Sequence, residues 1–245
     1  MKPLVVLPTF DEAENIVEAM DRVRAAVPEA GILVVDDASP DGTADIAAAH
    51  GADVLRRDGK QGLGSAYRVG FAHGMADGFD VLIEMDADLS HDAADLPALL
   101  AGVEHGADLV VGSRYVPGGS IPDWSWHRRA LSKWGNRYAA GVLGLAVNDS
   151  TAGYRAYRAE MLRQIDLDDV GADGYGFQIE MTYEVVRLGG RVVEVPISFS
   201  DRQRGQSKMS SRIVVEALAL VTWWGFRDRV LRRRSRSRRR GTSRE

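Results

Sequence analysis

Asp86-Ala87-Asp88 closes the short apolar run Val81-Leu82-Ile83 and is followed by Leu89-Ser90-His91. Carboxylates two residues apart on an extended backbone share a face. At the carboxyl end of a parallel strand that face opens into the ligand crevice of an α/β sheet. Two like charges held together are costly unless something positive lies between them. A hard divalent cation bridging to a diphosphate meets that need, because magnesium takes one or two carboxylates and completes its shell with phosphate oxygens. Alone, the pair reads more readily as two acids on a surface loop; its neighbours change that.

Other polar residues occupy equivalent strand ends. Pro8-Thr9-Phe10-Asp11-Glu12 follows the first apolar run, and Asp36-Asp37-Ala38-Ser39-Pro40-Asp41-Gly42-Thr43 follows Val34-Val35. Both should face the crevice of Asp86 and Asp88. Asp37 can accept from a base N–H or a ribose hydroxyl, whereas Asp41 before Gly42-Thr43 reads as a turn and helix cap. Arg114, in Gly112-Ser113-Arg114-Tyr115, could grip a diphosphate or form a strand-end ion pair. Asp201-Arg202-Gln203-Arg204-Gly205-Gln206-Ser207-Lys208 sets three cations around one glycine. It suits an electropositive lid over phosphates, or a solvated charge run. Gly62-Leu63-Gly64-Ser65-Ala66-Tyr67 fails as a dinucleotide fingerprint, since Tyr67 holds the third glycine position and the first strand does not precede it. It reads as a helix start packed near the nucleotide.

The elements that must position these residues alternate. Strands are expected at Leu4–Leu7, ended by Pro8, then at 32–35, 53–56, 81–84 and 109–111. Helices are expected between them, at 13–27, 43–50, 64–74 and from Asp95. Such alternation predicts an α/β fold, a Rossmann-like, mostly parallel sheet flanked by helices. Further on, a loop rich in Trp and Arg precedes helices at 130–145 and 177–188 and a strand at 191–195 stopped by Pro196. The stretch 213–226 is apolar but carries Glu216, Thr222 and Gly225, too short and interrupted for a span of ~20 apolar residues. An interfacial or partner-docking helix fits better.

With 245 residues the chain can bury a core, and without cysteine it has no disulfide, thiolate metal site or cysteine nucleophile. No signal peptide is expected, because the first residues enter a strand. The net charge of −4 conceals an asymmetry: residues 227–245 hold ten Arg and two acids, so the remainder is strongly acidic. A basic tail on an acidic globule points to an anionic surface.

In their order, Pro-Thr-Phe-Asp-Glu, Asp-Asp-Ala-Ser-Pro-Asp-Gly-Thr, Asp-Ala-Asp-Leu-Ser-His, Gly-Ser-Arg-Tyr and Asp-Arg-x-x-Gly-x-Ser-Lys resemble the family 2 glycosyltransferases of GT-A fold. More narrowly the chain is similar to the dolichol-phosphate (polyprenol-phosphate) mannose synthases over about residues 3–215. The resemblance implies an inverting transfer of mannose from GDP-mannose to a polyprenyl phosphate, with Mg2+ or Mn2+. It assigns Pro8, Phe10, Glu12, Val35 and Asp37 to the nucleoside, Asp86, Ala87 and Asp88 to metal and diphosphate, and Arg114, Arg202 and Lys208 to phosphates. Asp88, Arg114, Arg202 and Lys208 are the expected catalytic set. Ser90, Trp126, Arg128 and Arg129 are expected around the acceptor, with Trp124 beside them at the lipid surface. Phe10 stands where some members have Tyr, and Ser90 where some have Gln, which shortens a metal contact.

The resemblance further implies a catalytic domain over 1–208, an interfacial helix over 209–231 carrying Trp223 and Trp224, and a disordered Arg-rich tail over 232–245. The expected setting is cytoplasmic, peripheral on the inner face of the cell membrane, with an integral membrane protein as a candidate further partner and without nucleic acid. Alternatives are a transferase using a UDP-sugar, a non-catalytic nucleotide-sugar-binding scaffold, and an NAD oxidoreductase, the last disfavoured by the missing glycine.

Overall fold

Leu4, Val5, Val6 and Leu7 are buried on both faces of the sheet, which explains their unbroken apolar run. They form β1 (Pro3–Thr9), the middle of a seven-stranded sheet in a computed structural model that describes residues 1–201 and 217–227. Its partners β2 (Gly31–Asp36) and β4 (Val81–Glu84) run parallel to it, and β3 (Asp53–Arg56) pairs parallel with β2 at the edge. Beyond β4 come β6 (Arg155–Arg158), β5 (Leu109–Ser113) and β7 (Val192–Pro196), giving the order β3-β2-β1-β4-β6-β5-β7. Only β6 is reversed, antiparallel to both β4 and β5.

Alternate residues of β1 feed opposite cores. Val5 and Leu7 pack with Ile16, Met20 and Val23 of α1 (Ile16–Ala26), Ala47 of α2 (Thr43–Ala49) and Leu96, Leu99 and Val103 of α4 (Leu96–Glu104). Leu4 and Val6 pack with Ala66, Tyr67 and Phe71 of α3 (Leu63–Ala76), Leu162 of α6 (Ala159–Leu162) and Phe177, Met181 and Val185 of α7 (Gly174–Arg187). A third cluster joins α5 (Trp126–Leu143) and α7 to the helical residues 217–227 through Ala139, Ile179, Tyr183, Ala217, Val221 and Trp224.

Several boundaries differ from the sequence reading: α1 starts at Ile16 rather than Ala13, and Pro196 lies within β7, opposite Ser113, and does not stop it. Pro8 lies within β1, opposite Val35, and does not end it. α5 starts at Trp126 rather than Ala130, so Trp126, Arg128 and Arg129 stand on its first turn. α7 starts at Gly174, where Gly174-Tyr175-Gly176 hides a helix by its poor propensity and the Asp173 carboxylate accepts from Gly174 N. Of the expected 209–231 helix, 217–227 is helical and the rest lies outside the described residues, as do the 232–245 tail, Arg202 and Lys208. No helix among the described residues is long and apolar enough to cross a membrane.

α3 approaches β1 closely because it lacks side chains there. A Cβ on Gly70 would come within 2.5 Å of Val6 Cγ1. Valine is stiff at χ1 and cannot swing aside. Gly70→Val is therefore expected to overpack the core by ~1–3 kcal/mol. At roughly 2–4 °C per kcal/mol, a thermal melt should fall by several degrees. A melt equal to wild type would mean that the α3–sheet contact is looser than drawn.

Candidate active site

The carboxyl ends of β1, β2 and β4 open into a crevice of about 800 Å³. The three loops that shape it each hold a non-glycine residue in the left-handed region: Asp11 (φ 58°), Ala38 (φ 57°) and Leu89 (φ 64°). That conformation costs an L-residue roughly 1–2 kcal/mol and persists only where neighbours fix it. Side chains do so here. Ser39 Oγ accepts from Asp11 N and donates to Asp36, which also accepts from Ser39 N and Thr9 Oγ1. Asp88 Oδ1 accepts from Ser90 N (3.0 Å) and Ser90 Oγ (2.6 Å), closing the turn at Leu89. Asp41 makes the expected turn, accepting from Thr43 N, Thr43 Oγ1 and Ala13 N, while Gly42 occupies the cap position of α2.

Asp86, Ala87 and Asp88 all line the crevice, with Asp88 buried. Asp86 N–H donates to His91 Nδ1 (3.2 Å), so that nitrogen is unprotonated and the ring carries its proton on Nε2. Burial pushes the His91 pKa down to about 4, against the attraction of Asp88, and keeps the ring neutral. The Tyr67 hydroxyl reaches Asp86 Oδ1 at 3.4 Å; burial first, then the Asp86 charge, raise its pKa well above the phenol value. Among the described residues no three His, Cys, Asp or Glu side chains converge as a metal cage. Two hard carboxylate donors at an open crevice fit a cation that takes its remaining ligands from phosphate and water.

Pro8, Phe10, Glu12 and Asp37, the residues expected at a nucleoside, line the crevice, while Val35 is fully buried behind it. Asp37 is ion-paired with Arg57 and accepts from Gln61 N at 3.0 Å. Lys60, which the sequence reading missed, places its ammonium 4.3 Å from the Phe10 ring centre, a cation–π contact at the crevice mouth.

Arg114 lines the crevice, but its fork is spent largely inside the protein. Nε and Nη2 each donate at 2.7 Å to Asp149, and Nη2 also reaches Thr151 Oγ1. Burial alone would lower the Arg114 pKa, but the charge and hydrogen bonds of Asp149 outweigh it and raise it. Burial would likewise raise the Asp149 carboxyl, and Arg114 holds it below the usual carboxylate value. Asn136 of α5 ties that helix to the same loop, donating to Thr151 Oγ1 and accepting from Ser150 Oγ.

The expected acceptor residues separate. Arg128 lines the crevice, stacks 3.9 Å over Trp124 and pairs with Asp201 at 3.2 Å. Arg129 does not line it; its Nη2 is bound by the carbonyls of Ile121 and Trp124. Trp124 is packed rather than facing lipid, with Nε1 donating to Asp201. Ser90 is buried as the clamp on Asp88. Trp126 is 80% exposed. An apolar groove lined by Leu131, Ala139, Ile179, Ala217, Leu218 and Val221 joins the crevice at Trp124, Arg128, Thr151 and Tyr175. Also missed were Asp173, which accepts from Gly64 N and so holds the start of α3, and Gln178 on the crevice wall. The short polar residues around 149–153 and the glycines around 174 carried no motif that would have flagged them.

A mostly parallel sheet with an acid pair after β4, a Phe10–Asp37 pocket to one side and a cationic, partly apolar wall to the other defines a nucleotide-sugar transferase architecture of the GT-A type. Residues 4–166 match the family model described as Glycosyl transferase family 2, and the chain belongs to that family. It is 52% identical to an undecaprenyl-phosphate mannosyltransferase of Micrococcus luteus over 234 residues, covering 94% of this chain and 96% of the relative. Identity is 49% to a polyprenol monophosphomannose synthase of Mycolicibacterium smegmatis (95% and 90% covered). It is 33% to a dolichol-phosphate mannosyltransferase of Pyrococcus furiosus (95% and 67% covered). Among solved structures, glucosyl-3-phosphoglycerate synthase of Mycobacterium tuberculosis, crystallised with Mn2+, UDP and glucosyl-3-phosphoglycerate, shares the fold. Its TM-score is 0.68 at 21% identity, over 90% of this chain and 78% of that one.

Proposed function

We propose that this protein is an inverting hexosyltransferase that moves mannose from GDP-mannose to the phosphate of a polyprenyl phosphate. The observation that carries the reading is the crevice itself. It runs from the acid pair, past Arg128, into an apolar groove, so a charged donor and a lipid-linked anion can meet in it. The full-length likeness to mannosyltransferases of polyprenyl phosphates supports the same donor and acceptor.

Phe10 and Asp37 take the nucleoside. A divalent cation, Mg2+ or Mn2+, would be held by Asp86 and Asp88 and would supply positive charge to the departing diphosphate. Arg114 Nη1, the nitrogen that Asp149 does not hold, faces the same charge; Arg202 and Lys208 join it in this proposal. The acceptor phosphate is already an anion and needs no strong general base. Of the crevice acids, Asp173 is held by the Gly64 amide and Asp201 by Arg128. Arg128, rather than Arg129, receives the acceptor phosphate.

Incubating the purified protein and a short polyprenyl phosphate with radiolabelled GDP-mannose or UDP-glucose separates the readings. A lipid-extractable mannosyl product is expected. Faster transfer from UDP-glucose would replace the donor, and no transfer from any sugar nucleotide would favour a binding scaffold.

The lipid acceptor calls for a membrane-facing surface, and we place it on α5 and the helical residues 217–227. The two elements are joined by the Tyr138–Thr222 hydrogen bond (2.7 Å) and by a close approach at Gly225, where a Cβ would lie 2.4 Å from Val142 Cγ1. Trp224 is buried against Tyr183, so of the two tryptophans expected at the lipid only Trp223 is exposed, with Phe226 beside it. Trp126, Leu131 and Trp134 are the exposed apolar residues of α5. Aromatic side chains favour the headgroup level, and the Arg-rich stretch 227–245 adds attraction of ~1 kcal/mol per Arg near an anionic leaflet. The division into a catalytic domain over 1–208, this docking helix and a basic tail follows the same reasoning. The triple variant Trp126→Ala/Trp223→Ala/Phe226→Ala should lose most of its co-sedimentation with anionic liposomes while still using a detergent-dispersed short acceptor. Undiminished sedimentation would move the docking surface elsewhere.

A further inference from the structure

Gln178 lines the crevice, is 2% exposed, and has a buried Oε1 with no hydrogen-bond partner. Its other end is fixed: Nε2 donates at 2.6 Å to Glu84 Oε2. Glu84 is the last residue of β4, two before Asp86, so the amide stands at the carboxyl end of the strand that carries the acid pair. The backbone carbonyl of Gln178 is held too, accepting from Arg155 Nη1 (2.7 Å) and Thr182 Oγ1 (2.9 Å). A buried acceptor left unpaired is unfavourable, and in a native site it commonly awaits a ligand or water.

The wall beside its Nε2 leaves room for a ligand group. Gly153 lines the same wall, and a Cβ built there would lie 3.9 Å from both Gln178 Nε2 and His91 Cε1. The bare glycine thus leaves a small recess between the amide and the imidazole whose Nδ1 holds the Asp86 amide. A carboxamide with one N–H committed to Glu84 retains one N–H donor and one carbonyl acceptor. That pair suits a hydroxyl, which both donates and accepts, or two neighbouring hydroxyls that divide the roles. A diphosphate bound at Asp86 and Asp88 would present its sugar within reach of this recess.

We propose that Gln178 and the Gly153 recess form the subsite for the transferred hexose, with the Gln178 carboxamide reading its hydroxyls. The proposal rests on the sugar-nucleotide reading above and extends it to a specificity-determining residue. A site built to hydrogen-bond a hydroxyl penalises an analogue that lacks it, because its own buried group is then left unpaired.

The test compares GDP with GDP-mannose by titration calorimetry on the full chain, in wild type, Gln178→Met and Gly153→Ala. Methionine keeps the volume and removes the amide. Gly153→Ala fills the recess at ordinary contact distances and at a backbone conformation open to alanine, so it should fold. In both variants GDP affinity should stay within about twofold, while the extra affinity conferred by mannose falls roughly tenfold, the scale of one lost hydrogen bond in a buried site. In wild type, one deoxymannose donor should lose the same increment, and in Gln178→Met that donor should lose nothing further. An unchanged GDP-mannose to GDP ratio in both variants overturns the proposal, as does an equal weakening of both ligands, which marks a structural role. If wild type binds and uses UDP-glucose instead, the donor assignment fails, and the same ratio measured with UDP and UDP-glucose still decides the role of Gln178.

Discussion

Asp88→Ala is expected to reduce turnover by at least ~10³-fold while the protein stays folded. The carboxylate is buried at the crevice, and Ser90 fixes one of its oxygens through two hydrogen bonds. Its removal leaves Asp86 alone to hold the cation that would balance the charge of the leaving diphosphate. Ser90→Ala keeps the charge and loosens its aim, so it should cost less, about 10–100-fold, as losses of groups that orient metal ligands do. Chelation should silence the wild type and add nothing to the Asp88→Ala defect. The decisive measurement is the steady-state rate with saturating donor, with and without chelator. Near-normal turnover of Asp88→Ala in the presence of chelator would falsify the role assigned to the acid pair.

The second large effect concerns a residue that no motif announced. Asp149→Ala leaves the Arg114 guanidinium buried without its counter-charge. Breaking a buried pair in this way costs ~3–5 kcal/mol, more than the pair itself contributes relative to apolar packing. For a chain of this size the melting temperature should fall by roughly 10 °C, and activity should fall with it as Arg114 loses its orientation. Asp149→Asn, which can still accept one hydrogen bond, should lie between. The pH dependence has a definite sign. The folded-state pKa of Asp149 is below its unfolded value, so its contribution is present above the ordinary carboxylate pKa and is lost as pH falls through the lowered one. The gap in melting temperature between wild type and Asp149→Asn should therefore narrow in acid. A gap that is negligible at neutral pH, or that widens in acid, would contradict the pairing.

Much of this fold was legible because its strands are buried on both faces: runs such as Val81-Leu82-Ile83 admit few other readings. The crevice acids were legible for a related reason, since Asp37, Asp86 and Asp88 directly follow such runs. What stayed hidden depends on long-range pairing. Arg114 stayed undecided between a phosphate grip and a strand-end ion pair because Asp149, 35 positions away, has no local signal as its partner. Trp124 and Trp224 were read as membrane tryptophans because composition cannot tell a packed indole from an exposed one. Neighbouring tryptophans in fact diverge: Trp124 and Trp224 are buried, Trp126 and Trp223 exposed. Gln178 was passed over because a glutamine on an apolar helix face gains meaning only once Glu84 and Gly153 are seen beside it.

The reversed strand bears on how the chain is made. β5 finds both of its hydrogen-bonding neighbours, β6 and β7, later in the sequence. During synthesis Ser113 emerges about 45 residues ahead of Arg158, an interval of about 2–9 s at typical elongation rates. Throughout it the outer edge of β4 is open and the apolar β5 has nothing to pair with, a state prone to mispairing with other nascent chains. The side of the crevice lined by Phe10 and Asp37 can form in that time, but the side lined by Thr151, Asp173 and Gln178 cannot. Arrival of 155–158 closes the β4 edge and the facing edge of β5, and sets Arg155 opposite Glu84. The other edge of β5 stays open until β7 is made, about 40 residues later.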